Sequence, residues 1–82
     1  MLTTGNQLKA ARALISMDQD ELARRAKVNV NTVRNMEASG AGTIAGRAQN
    51  VQAVQLTLEQ AGVEFQNHGR PGVRMREPGV GA

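Results

Sequence analysis

The sequence predicts a mainly α domain of four helices followed by a C-terminal β-hairpin. Three observations predict it: apolar residues recur with helical period in four stretches between residues 5 and 61, residues with capping chemistry stand ahead of those stretches, and after Gly62 the period changes to two.

Thr4 and Gln7 have the spacing of a capping box, in which each side chain satisfies an orphan backbone N–H of the other. A first helix is therefore expected from near Gly5 to about Ser16 or Met17. Its apolar stripe is Leu8, Ala11, Leu14 and Ile15, with Lys9 and Arg12 beside it. Asp18 and Glu21 repeat the box ahead of a two-turn helix over residues 19–26, whose apolar face is Leu22, Ala23 and Ala26. A helix that short is marginal alone, so its neighbours must hold it.

Residues 27–29 interrupt the pattern, and Asn29 is a good N-cap for a third helix beginning at Val30. Val33, Met36 and Glu37 are expected to face the bundle, and Asn31, Thr32, Arg34 and Asn35 to face away from it. Residues 39–42, Ser-Gly-Ala-Gly, stop this helix and open a loop that runs through Gly46 to about Gln49. Asn50 is expected to cap the fourth helix, with Val51, Val54, Leu58 and Ala61 in its stripe and Gly62 as the residue that ends it.

Beyond Gly62, Val63 and Phe65 alternate with Glu64 and Gln66, residues 67–72 form a turn, and Val73 and Met75 alternate with Arg74 and Arg76. A lone hairpin is marginal in water. The face made of Val63, Phe65, Val73 and Met75 is therefore expected on the fourth helix or across a dimer interface. Arg70, Arg74 and Arg76 read as charges on the hairpin's wet face that discourage edge pairing. The organisation expected is a helical domain over residues 1–62, a hairpin over 63–76 serving dimerisation, and a flexible tail over 77–82.

Eighty-two residues make one domain with a small core, one that draws on a partner subunit. There is no Cys, Trp or Tyr and one Phe, so disulfides and aromatic clusters contribute nothing and aliphatic packing must carry the fold. The methionines read as core fillers, with Met1 and Met17 incidental. No apolar run approaches the roughly 18 residues of a membrane span, and no signal-peptide pattern is present, which points to a soluble cytoplasmic protein without a membrane partner.

The formal charge is +3, and residues 1–38 hold six basic and four acidic side chains, the basic ones clustering at Arg24, Arg25, Lys27 and Arg34. A basic surface around one element is what phosphate contact requires. A solvated helix face would look the same. Enzyme chemistry lacks its parts: there is no Cys nucleophile, no Ser-His-Asp set with workable spacing and no paired carboxylates in a cleft. The Gly-rich residues 40–46 lack the Lys-Ser or Lys-Thr ending of a phosphate loop and read as a linker. His68, with no Cys and no second His, is a turn residue; no metal or other cofactor is expected.

Two short helices joined by three residues must cross steeply, and that crossing leaves marks. The fifth residue of the unit must be small, as Ala23 is; the turn needs an apolar plug, Val28; the second helix needs apolar residues toward the core, Val33 and Met36. With these in place the chain resembles the Cro and phage-repressor type (XRE) helix-turn-helix family over residues 5–61. Gln19 matches the Gln that usually opens the family's second helix, Glu21, Leu22 and Ala23 match its Glu-Leu-Ala segment, and Arg12 and Glu37 match its helix 1 to helix 3 ion pair. Lys27 departs from the pattern, standing where the family has a left-handed Gly, at a cost of roughly 1 kcal/mol.

The resemblance implies a lambda-repressor-like fold and a transcriptional regulator that binds double-stranded DNA with its third helix in the major groove. It implies base contacts from Val30, Asn31, Thr32 and Asn35, with Arg34 reaching a base or the backbone. It implies phosphate contacts from Gln19, Arg24, Lys27 and Arg47. Arg24 and Arg25 splay by about 100°, so one of the two points at DNA. One reading helix spans too few base pairs for a specific genomic site, so a homodimer on an inverted repeat is expected, with RNA polymerase or another regulator as a further partner. The competing reading is a protein-binding module, an antiactivator or antitoxin that captures another regulator without reading DNA.

Overall fold

The computed structural model describes residues 1–67 and 69–76; the expectations for His68 and for the tail over 77–82 lie outside them. The order of elements is α1 (Gly5–Leu14), α2 (Gln19–Ala26), α3 (Val30–Glu37), α4 (Ala48–Gln60), β1 (Val63–Gln66) and β2 (Gly72–Met75). The domain is mainly α, four helices followed by an antiparallel two-stranded hairpin.

The capping box of α1 forms as the spacing predicts, with Gln7 N–H donating to Thr4 Oγ1 at 3.1 Å and Thr4 N–H donating to Gln7 Oε1 at 3.1 Å. The helix ends at Leu14, earlier than expected, because Ile15 leaves helical geometry and Ser16 takes a left-handed φ of 54°. That early end leaves Leu14 45% exposed, so it drops out of the stripe, and it turns Met17, expected to be incidental, into the core at 6% exposure. At α2 only half of the expected box is made. Asp18 accepts from Glu21 N–H at 2.8 Å, while the Glu21 carboxylate turns instead to Arg25, one turn on, at 2.6 Å.

The start of α4 also differs from expectation. Gly46, at a φ of 133°, lets the chain turn directly into the helix, and the Arg47 carbonyl accepts from both Asn50 and Val51 N–H at 3.0 Å. Arg47 is therefore the N-cap, without a side-chain cap, and Asn50 lies inside the first turn. Gly62, φ 102°, follows the last turn as expected.

Leu8, Leu22, Val33, Met36, Val54, Leu58 and Val63 are fully buried and join the four helices and β1 in one core. Each contributes about 1.5–3 kcal/mol by leaving water. In the hairpin Val63 stands opposite Met75 and Phe65 opposite Val73, so the four apolar residues share one face as expected. That face packs on α1 and α4 of its own chain, burying Val63, half-burying Phe65 and Val73, and leaving Met75 42% exposed. On the other face Arg74 pairs with Glu64 at 2.7 Å.

Two connections are invisible to periodicity. Residues before α1 form an extended segment: Leu2 is buried, Thr4 bridges to Thr43, and Ile44 N–H donates to the Thr3 carbonyl at 2.8 Å. The loop between α3 and α4 is thereby pinned rather than a free linker. Gln7, 2% exposed, finishes the job of a structural tie: beyond the cap, its Nε2 donates to the Gln66 and Gly72 carbonyls, each at 3.2 Å, and so holds both hairpin strands to α1. Among the described residues no helix is long and apolar enough to cross a membrane.

Candidate functional site

The unit that presents α3 is built as its sequence requires. Ala23 is buried where α3 crosses α2, Val28 is half-buried against the core in the turn, and Asn29 caps α3 by accepting from Asn31 N–H at 2.8 Å. Lys27 ends α2 in the left-handed conformation, φ 59° and ψ 43°, with its N–H returned to the Ala23 and Arg24 carbonyls. A Cβ in that region costs about 1 kcal/mol. Lys27→Gly is therefore expected to raise stability by about 0.5–1 kcal/mol in urea unfolding; a loss of stability would mean that the lysine side chain itself supports the turn.

The inner face of α3 is held by charge as well as by packing. Glu37, 3% exposed, accepts from Arg12 Nε at 2.5 Å and Nη2 at 3.0 Å, and from Gln19 Nε2 at 2.9 Å. Arg12 also donates from Nη1 to the Met17 carbonyl at 3.1 Å. The hydrogen bond to Glu37 pushes the guanidinium pKa above its ordinary value, with burial opposing and the Glu37 and Asp18 charges assisting. A raised pKa on a cation adds stability that is present at all pH values below that of the free guanidinium, so this anchor does not weaken across the neutral range.

With its inner face committed, α3 turns Asn31, Arg34 and Asn35 fully outward and leaves Thr32 partly exposed. Val30 is half-buried and packs on the core, so it offers less surface than the other expected base-contacting positions. Gln19 is placed at the N-terminus of α2, but its Nε2 donates to Glu37, which turns the side-chain amide toward the inner anchor of α3. Of the consecutive arginines, Arg25 is paired with Glu21, and Arg24 is exposed with no ion pair among the described residues. Lys27 and Arg47 are likewise exposed and outside every ion pair among those residues.

A shallow groove of about 260 Å³ runs beside α3, lined by Thr32, Asn35, Ala45, Gly46, Arg47 and Asn50. It places Arg47 on the same surface as the outer face of α3. Asn50 joins that surface as well, which a role as N-cap would not give it; the signal is Gly46, whose turn starts α4 three residues earlier than a cap at Asn50 would. This surface is polar and cationic, and it can donate hydrogen bonds and attract anions. By contrast Val63, Phe65, Val73 and Met75 lie in the hairpin and take no part in it.

Compared with known proteins, the chain matches no protein-family model and no curated protein.

Proposed function

We propose that this chain is a sequence-specific, double-stranded-DNA-binding transcriptional regulator of the lambda-repressor-like helix-turn-helix type, working in the cytoplasm as a homodimer on an inverted repeat. The observation that carries the reading is the division of α3 into an inner face locked by Val33, Met36 and Glu37 and an outer face of exposed polar groups that make no contact with the core, flanked by Arg24, Lys27 and Arg47. A helix of that kind fits the major groove, where Asn pairs with adenine, Arg with guanine and the Thr methyl with thymine, while flanking cations sit at phosphates. Two copies would place their α3 helices about 34 Å apart. Leu56 on α4 and Met75 on β2, exposed at 55% and 42%, support α4 and the hairpin as the contact between copies.

A salt titration of duplex binding tests the reading. Three cationic phosphate contacts per subunit, six per dimer, give a slope of log K against log salt of about −5. Asn31→Ala is expected to cost about 1–3 kcal/mol on the preferred duplex and to relax one base position. No duplex binding at low salt would overturn the proposal in favour of a protein-binding module; equal weakening by Asn31→Ala on random DNA would make Asn31 a backbone contact.

A further inference from the structure

Asn31 and Arg34 are not independent side chains on the outer face of α3. Arg34 Nη1 donates to Asn31 Oδ1 at 3.1 Å, while the Asn31 backbone is fixed by the Asn29 cap. Three residues of helix separate them by about 4.5 Å along the axis, close to the roughly 3.4 Å spacing of successive base pairs. The bond also decides how the Asn31 amide is turned. With Oδ1 toward the guanidinium, Nδ2 faces away from it; the flipped amide would set donors against donors.

The groups left over form an ordered array. Asn31 keeps one lone pair on Oδ1 and two hydrogens on Nδ2, and Arg34 keeps the second Nη1 hydrogen and those of Nη2. Adenine presents a donor at N6 and an acceptor at N7 in the major groove; guanine presents acceptors at O6 and N7. We propose that Asn31 and Arg34 read two neighbouring base pairs as one unit, adenine by Asn31 and guanine by Arg34, and that Arg34 is the positioning residue which sets the adenine preference by orienting the amide of Asn31. The proposal rests on the reading of α3 as a DNA-contacting helix.

Coupling of this kind has a signature that separate contacts lack. Duplexes selected from a random pool by the wild-type chain supply the site, and all sixteen dinucleotides are then placed at the two positions that respond to N31A and R34A. The readout is the discrimination ratio within each variant, which cancels any change in overall affinity or folded fraction. The expected result is a guanine–adenine preference in the wild type, an adenine preference reduced at least threefold by R34A, and a guanine preference reduced at least twofold by N31A. R34K, which keeps a donor for Oδ1, is expected to retain most of the adenine preference while losing guanine preference. Sequence-selective wild-type binding with an adenine ratio unchanged in R34A would overturn the coupling alone. A wild-type chain that binds no duplex would overturn both the coupling and the function beneath it.

Discussion

Glu37→Ala is expected to lower the stability of the domain by about 3 kcal/mol and to abolish duplex binding without touching any outward side chain of α3. Glu37 is almost wholly buried and accepts three hydrogen bonds, two from Arg12 and one from Gln19. Its removal leaves the Arg12 guanidinium without its anion and the Gln19 amide without its acceptor. Breaking a buried pair from one side costs about 3–5 kcal/mol; the 21% exposure of the Arg12 side chain lets water reach it and places the effect at the low end. Against a total of about 4–12 kcal/mol for a domain of this size, that is a large share. Glu37→Gln, which keeps an acceptor and loses the charge, is expected to cost roughly half as much. Urea unfolding midpoints of the three proteins check the order, and a loss below about 1 kcal/mol for Glu37→Ala would show that α3 is held by packing alone.

That anchor was legible in the sequence because Arg12 and Glu37 belong to a recognisable pattern. The helices were legible because they rest on local chemistry: Thr4 with Gln7, Asp18 ahead of α2 and Asn29 ahead of α3 each act within one turn. Expectation and structure part where a local preference meets a distant constraint. Asn50 is a better cap than Arg47 by residue type, yet Gly46 had already turned the chain. Leu14 lies at the margin of its stripe, and an end to α1 at that residue leaves it in water while Met17 fills the core. The role of Gln7 was half visible. Its cap is a matter of spacing, but its bonds to Gln66 and Gly72 span about sixty residues and exist only because the hairpin docks on α1. At the candidate site the outward positions of α3 followed from period alone, whereas the engagement of Gln19 by Glu37 and the bond between Arg34 and Asn31 depend on rotamers that no period encodes.

Gly5→Ala is expected to destabilise the domain by about 3 kcal/mol, and the sign of the effect is the informative part. On an exposed helix the same change stabilises by about 1 kcal/mol, since alanine is the better helix former. Gly5 is buried at the first residue of α1, where a Cβ would stand 2.6 Å from the Met36 and Glu37 carbonyl oxygens and 2.8 Å from the Gly40 nitrogen. All three are backbone atoms and cannot step aside as a side chain would. Either α1 withdraws from the end of α3, breaking the bond from Asn6 N–H to the Gly40 carbonyl at 2.9 Å, or α3 is displaced outward. Overpacking against side chains costs about 1–3 kcal/mol, and rigid backbone puts this site at the top of that range. Gly40→Ala is the control. Gly40 has a φ of 56° but open space around its Cβ position, so strain alone should cost about 1 kcal/mol. Unfolding midpoints that place Gly5→Ala well below Gly40→Ala would show that the close approach of α1 sets the position of α3. A neutral or stabilising Gly5→Ala would mean that the two helices have room to part, and duplex binding by that variant would then show how much displacement the reading helix tolerates.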